Sequence, residues 1–170
     1  LPQRLERQVA YLEAHPTTGL VACGVAFGGD RHRALGYALH VDWLNELTDA
    51  MSIRLNRFVE SPFAHPSVMF RRELVECFGG YADGDFPEDY ELWLRWMERG
   101  VEMGRLPERL LIWNDPPDRL SRTDARYSVQ AFYELKARYL ALELARSGRG
   151  RSVWVWGAGR TTRQRAEALE

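Results

Sequence analysis

The stretch Asp85–Trp96, DFPEDYELWLRW, combines the start of an amphipathic helix with two adjacent carboxylates, Glu88 and Asp89. With the N-cap placed at Asp85, Glu88 falls at the third helical position, where its carboxylate completes a capping box with the backbone amide of the cap. The spacing i, i+3, i+4, i+7 predicts a buried stripe made of Tyr90, Trp93, Leu94 and Met97. The stretch therefore predicts a helix that packs on a core.

Asp89 is explained neither by the cap nor by the stripe. It lies one helical turn before Trp93 and two turns before Trp96, so we expect aromatic rings to shield it partly from water. Partial desolvation raises the pKa of a carboxyl group and makes the carboxylate a better base. Acidic residues are also common in first helical turns for structural reasons alone. A catalytic base and an ordinary first-turn acid both stay open. Glu91 and Arg95 are predicted to form an exposed i, i+4 ion pair.

Helices and strands alternate on both sides of this stretch. Strands are predicted for the apolar run 20–27 and for 67–72, and the stretch 101–115 is predicted to form two short strands joined by a turn. Helices are predicted at the N-terminus, over 45–58, over 73–78 before two glycines, and over 124–146. The fold class is therefore α/β, with a mixed sheet and flanking helices.

Composition excludes several classes of protein. The 170 residues carry a formal net charge of -1, which argues against a nucleic-acid binder. The two cysteines have no metal-ligand spacing, no apolar run is long enough to cross a bilayer, and no signal peptide is recognisable. We therefore expect a reduced, cytoplasmic protein. Both ends of the chain interrupt helical patterns, which predicts a piece of a longer protein.

Three stretches together resemble one family. LPQRLERQVAYLEAHPTTGLVACGV (1–25), HPSVMFRRELVECFGGYADGDFPEDYELWLRWMERG (65–100) and RLPERLLIWND with RLSR (105–122) resemble, in that order, the C-terminal half of bacterial family-2 glycosyltransferases. These are inverting enzymes with a GT-A fold. The resemblance implies an acceptor-side half of the glycosyltransferase domain over 1–122, followed by a long helix over 123–148.

The resemblance also implies roles for four residues. Asp89 matches the aspartate that acts as base on the acceptor hydroxyl, and Glu88 is expected to contact the acceptor in addition to its capping role. His65 is expected near the cleft between donor and acceptor, or else caps a loop. Arg122 is expected near the diphosphate of the donor, or else is an ordinary surface arginine.

The same resemblance implies the partners of the full-length enzyme. These are a nucleotide-sugar donor, a saccharide or lipid-linked acceptor and a divalent cation, Mg or Mn. The D-x-D motif of the family is expected upstream of this chain, and DGD at 83–85 is interpreted as a turn and cap. The loop after the last strand lacks the histidine found in many members, so Asn114, Asp115 or Asp118 could replace it and the metal ligands stay unassigned.

Further expectations follow for the chain by itself. Without the donor half we expect it to be inactive and to bind no cofactor, and we expect exposed apolar surface to favour a homodimer. The complete enzyme is expected in the cytoplasm, peripheral to the inner membrane.

The last segment, 149–170, is interpreted as an incomplete Rossmann-like unit. VWVWGAGRTT resembles the start of a dinucleotide-binding fingerprint, with an apolar strand, Gly157 and Gly159, and then a helix. Thr162 occupies the third glycine position, and the second strand of the unit is absent, so we expect no working NAD site. This segment supports an alternative function, a non-catalytic nucleotide-binding or assembly module.

Overall fold

The computed structural model describes residues 1–116, 118–148, 154, 156, 157 and 159–167. Within them a three-stranded mixed sheet has the order β2-β1-β3. The strands are β1 Thr18–Phe27, β2 Val68–Phe70 and β3 Glu102–Trp113. β1 lies in the centre, antiparallel to β2 and parallel to β3. The predicted α/β class with a mixed sheet and flanking helices is confirmed.

Helices cover this sheet and extend beyond it. They are α1 Arg4–Ala14, α2 Leu35–Glu46, α3 Ala50–Asn56, α4 Arg72–Phe78, α5 Glu88–Glu98, α6 Leu120–Thr123, α7 Val129–Arg146 and α8 Arg160–Glu167. The prediction of one helix over 45–58 was wrong, because Asp49 caps a new helix and separates α3 from α2. Most of α2 was missed, since its apolar residues follow no clean helical stripe.

β3 is one strand, whereas two strands joined by a turn were predicted. The pairing with β1 passes from Cys23 opposite Leu106 to Gly24 opposite Arg109, so β3 has two extra residues at this point. A Cβ on Gly24 would lie 2.9 Å from the carbonyl oxygens of Pro107 and Glu108. The glycine therefore lets a bulge form where the sequence suggested a reversal of the chain.

The predicted stripe of α5 is buried and forms the centre of the core. Tyr90 and Trp93 are fully buried, and Leu94 and Met97 are nearly so. Trp93 packs with Leu20 of β1 and Phe63 of the loop before β2 in the largest apolar cluster. These contacts fix the first turn of α5, which carries Asp89, against the sheet.

The pair Glu91–Arg95 is buried, so the prediction of an exposed pair was wrong. Glu91 accepts hydrogen bonds from Arg95 and, at 2.6 Å, from the Tyr139 hydroxyl of α7. Arg95 also donates to the carbonyls of Gly79 and Gly80. Helix α7 covers this side of α5 and converts a surface pair into an internal link between α5, α7 and the turn after α4.

Several large apolar side chains remain exposed on the helices. Leu5 and Val9 lie on the outer face of α1, Leu1 lies just before that helix, and Met51 and Leu55 lie on the outer face of α3. The homodimer that we expected from such surface stays a prediction. None of the helices in the described part of the chain is long and apolar enough to cross a membrane.

The C-terminal segment is described only in part. The long helix α7 begins at Val129 with Ser128 as its cap, after a short 3-10 turn, Ala125–Tyr127. Helix α8 follows Gly159, as the fingerprint predicted. Two residues of the strand predicted at 153–156, Val153 and Val155, lie outside the described residues, and the division into three segments stays a prediction.

Candidate active site

A cavity of about 730 Å³ opens beside the first turn of α5. Its walls come from α2, from the loop before β2, from the end of β3 and from α7. Asp89 and His65 line it, whereas Glu88 and Arg122 do not. The volume and the mixture of aromatic and polar walls are typical of a small-molecule site.

Asp89 is the second residue of α5, directly after Glu88. One carboxylate oxygen accepts the backbone N–H of Tyr90 at 2.7 Å, and the other lies 3.8 Å from Nδ1 of His65. The side chain is 18% exposed. Burial raises the pKa of Asp89, and the nearby His65 and the Tyr90 amide oppose this rise only in part. Asp89 is thus a shielded carboxyl group at the wall of a cavity.

His65 begins the 3-10 turn His65–Ser67 just before β2. Its Nε2 is 2.8 Å from the hydroxyl of Tyr81, and its ring meets Trp93 edge to face. Tyr81 follows the glycine turn that Arg95 holds. A row Tyr81–His65–Asp89 therefore joins three separate segments at the wall of the cavity.

Glu88 does not complete a capping box, which corrects the sequence-based prediction. Helix α5 begins two residues later than expected, with Pro87 as the N-cap residue, and Asp85 is exposed without a capping bond. Proline fixes its own φ and suits this entry to a helix. Both oxygens of Glu88 instead accept the hydroxyl of Tyr127, at 2.8 and 2.6 Å. Tyr127 lines the cavity, so Glu88 supports the wall from behind.

Arg122 is paired with Asp115 at 2.5 Å and is 44% exposed. The same aspartate, almost fully buried, also pairs with Arg119 at 3.3 Å. Arg119 lines the cavity, and its guanidinium lies 4.7 Å from the ring centre of Tyr37 and 4.8 Å from that of Trp113. Sequence reasoning selected Arg122 and missed Arg119. The sequence around these two arginines does not indicate which one faces the cavity, because that depends on how the chain folds.

Lys136 and Glu60 also line the cavity and were missed. Lys136 is the only lysine of the chain and interrupts the apolar face that begins with Phe132 on α7. A polar residue on a buried helix face was the signal that could have identified it.

Asp115, one of the expected oxygen donors, is occupied by two arginines. In the parts of the chain that the structure describes, no three His, Cys, Asp or Glu side chains are grouped so that they could hold a metal ion. The described residues therefore form no cation site by themselves.

Four curated proteins that match the chain are named as glycosyltransferases. The chain is 31% identical to the amylovoran biosynthesis glycosyltransferase AmsE of Erwinia amylovora and 32% identical to an uncharacterised glycosyltransferase of Haemophilus influenzae. Each alignment covers 65% of this chain and 39% of the relative. The O-antigen biosynthesis glycosyltransferase WbnJ of Escherichia coli is 28% identical over 79% of this chain and 48% of its own length.

The chain thus spans less than half the length of these relatives, and the similarity relates it to part of a glycosyltransferase. No protein-family model matches it. No solved structure matches it.

Proposed function

We propose that this chain is the acceptor-binding half of an inverting family-2 glycosyltransferase with a GT-A fold, and that Asp89 is its catalytic base. The observation that carries the proposal is the position of Asp89, a buried carboxyl group with a raised pKa at the wall of the cavity. The similarity to named glycosyltransferases supports the reaction class. The family, the fold type and inversion rest on the resemblance of the motifs.

In this proposal an acceptor hydroxyl binds in the cavity next to the carboxylate of Asp89. Its oxygen attacks the anomeric carbon of a nucleotide-sugar, and the bond from that carbon to the diphosphate oxygen breaks. The proton of the hydroxyl passes to Asp89, and the nucleoside diphosphate leaves. A single displacement of this kind inverts the anomeric centre, and its transition state resembles an oxocarbenium ion. His65 lies beside the carboxylate, with its Nδ1 3.8 Å from one oxygen.

Arg119 and Arg122 are proposed to neutralise the leaving diphosphate. Two guanidinium groups share the single carboxylate of Asp115, so this cluster has one unit of positive charge in excess. Arginine is well suited to phosphate oxygens because its donors form a planar fork.

The donor is proposed to be a nucleotide-sugar and the acceptor a saccharide, free or linked to lipid. The relatives AmsE and WbnJ are named for amylovoran and O-antigen biosynthesis, and an acceptor of the polysaccharide type agrees with those names. The complete enzyme is proposed to act in the cytoplasm, at the surface of the inner membrane.

The test uses the full-length protein and a panel of UDP- and GDP-hexoses, with release of the nucleoside diphosphate as the measurement. We expect Asp89→Asn to lower kcat by roughly 10²- to 10⁴-fold, the usual contribution of a general base. Asp83→Asn, at an exposed position outside the cavity, is the matched control and should match wild type. Transfer by the Asp89→Asn protein at the wild-type rate would refute the role of Asp89.

The chain alone is proposed to be inactive. If the donor half is required, the isolated 170 residues should release no diphosphate from any donor of the panel, while the full-length protein does. Turnover by the isolated chain would show that the donor site lies within it.

A further inference from the structure

Glu60 and Lys136 form a polar pair on the wall of the cavity, between the loop before β2 and helix α7. The Lys136 ammonium lies 3.4 Å from one carboxylate oxygen of Glu60 and donates to the carbonyl of Val59 at 2.8 Å. The other oxygen of Glu60 accepts the backbone N–H of Ser61 at 3.1 Å. The carboxylate is thus held in one orientation with the ammonium beside it.

The lysine is built into the wall and has little freedom to move. Its side chain is 9% exposed, and its ammonium lies 5.1 to 6.0 Å from the ring centres of Tyr90, Phe132 and Tyr133. The Glu60 side chain is 40% exposed. An ammonium has three donors, and the two contacts on this wall leave one of them available. The pair therefore offers a fixed donor and a fixed acceptor side by side.

Two neighbouring groups add hydrogen-bonding capacity without adding charge. The Ser61 hydroxyl is buried at the same wall and has no partner within the described residues. Burial lowers the pKa of His40, with Arg119 and Lys136 acting in the same direction and Glu60 against them. His40 is then a neutral imidazole at neutral pH, able to donate with one nitrogen and accept with the other. Phe132 and Tyr133 supply flat apolar surface next to these groups.

We propose that Glu60 and Lys136 form a subsite for an uncharged sugar ring of the acceptor and determine which acceptor is used. The carboxylate accepts from one ring hydroxyl, and the ammonium donates to the hydroxyl on the adjacent carbon. Hydroxyls on adjacent ring carbons lie about one hydrogen-bond length apart, which matches the spacing of the pair. The apolar face of the ring packs on the aromatic side chains of α7. This inference rests on the proposed function and adds the recognition of the acceptor to it.

The charge of the wall favours a neutral ring over an acidic one. The ammonium is balanced by the carboxylate at 3.4 Å, and the imidazole is neutral. A second anion next to Glu60 would be repelled at short range. The hydroxyls of an uncharged sugar can hydrogen-bond to the carboxylate, the ammonium and the imidazole without adding a charge.

The first test measures steady-state kinetics of the full-length protein with saccharide acceptors. We expect Glu60→Gln and Lys136→Gln each to raise the acceptor KM about tenfold, as for loss of a hydrogen bond to a charged group, with a much smaller effect on kcat. Glu134→Gln, an exposed change on the same helix, is the control and should leave both constants unchanged. A wild-type acceptor KM in both cavity variants would overturn the subsite while leaving the glycosyltransferase proposal intact.

The second test does not depend on turnover. Binding of methyl glycosides of glucose, galactose and mannose to the full-length protein is followed by saturation-transfer NMR. We expect a signal with at least one of the three, and a loss of that signal in Glu60→Gln, which keeps the shape of the side chain. Failure of all three to bind wild type, or equal signals from wild type and variant, would overturn the inference even if sugar transfer itself is observed.

Discussion

Replacing Arg95 by Met removes a guanidinium that joins helix α5 to the turn after α4 and pairs with Glu91. Its donors contact the Glu91 carboxylate at 3.0 and 3.2 Å and the carbonyls of Gly79 and Gly80 at 3.2 and 2.6 Å. The Glu91 side chain is 6% exposed and the Arg95 side chain 20%. The variant therefore leaves a buried carboxylate with the Tyr139 hydroxyl as its remaining hydrogen-bond donor.

The expected loss is about 3–5 kcal/mol in the free energy of unfolding, since one partner of a buried ion pair is removed and the other is left behind. Domains of this size are commonly stable by about 5–15 kcal/mol, so the loss is large but leaves a measurable transition in many cases. Urea denaturation followed by tryptophan fluorescence measures it. Arg99→Met, directly after the end of the same helix and 61% exposed, is the control and should change stability by less than about 0.5 kcal/mol.

A double-mutant cycle separates the ion pair from the packing of the side chain. Removing the charge of the partner with Glu91→Gln should relieve part of the penalty, so Arg95→Met and Glu91→Gln should couple by about 1–3 kcal/mol. A loss of less than about 1 kcal/mol in the free energy of unfolding for Arg95→Met, or strictly additive losses, would show that this pair is solvated. Arg95 and Glu91 would then not stabilise the contact between α5 and α7.

Three further predictions concern the pH dependence and the backbone. Burial raises the folded-state pKa of Asp89, so the folded state binds a proton at this residue more tightly than the unfolded state does. The ionised form of Asp89 therefore destabilises the fold. Its contribution to the free energy of unfolding falls as the pH rises through the ordinary aspartate range. The Asp89→Asn protein should then unfold at a higher temperature than wild type at pH 7, and this increase in Tm should vanish below the ordinary aspartate pKa. An increase in Tm that does not change with pH in thermal scans would show that Asp89 is not destabilising when ionised. Only ionised Asp89 accepts a proton, so kcat/KM for sugar transfer should fall towards acid pH with a midpoint above the ordinary pKa of aspartate. A midpoint at or below that ordinary pKa would be evidence against Asp89 as the base. Gly24→Ala should lower the free energy of unfolding by about 1–3 kcal/mol, because the new methyl group would lie 2.9 Å from two carbonyl oxygens. Gly36→Ala in α2 is the control and should be neutral or stabilising, since a Cβ there would have no atom within 4 Å. Equal stabilities of the two variants in urea denaturation would disprove the tight bulge.

The sequence predicted the elements whose pattern is local. The buried stripe of α5, the end of α4 at Gly79 and the apolar strand β1 follow from periodicity and from glycine, and all three are present. The bulge in β3 could not be predicted in the same way. It depends on Gly24, a residue more than 80 positions upstream, and on the parallel pairing that brings the two together.

The candidate site was predictable only where a residue lacked a structural role. Asp89 was selected because neither cap nor stripe explained it, and it does lie at a cavity. Glu88 was misread because the capping box was placed on Asp85, while Pro87 starts the helix. Its partner Tyr127 is 39 residues away, and such a contact leaves no trace in spacing. Arg119, Lys136 and Glu60 were missed for the same reason, because they come together from separate segments of the chain.

The buried Glu91 has a consequence for how such a site can diversify. It lies two residues after Asp89 on α5, and its carboxylate is fixed from two directions, by Arg95 of its own helix and by Tyr139 of α7. Rotation of α5 about its axis would break the bond from Tyr139 and the bonds from Arg95 to the carbonyls of Gly79 and Gly80, so the proton acceptor keeps its direction independently of the surrounding loops. Loops that shape substrate choice can then vary in length and composition without disturbing the reacting group.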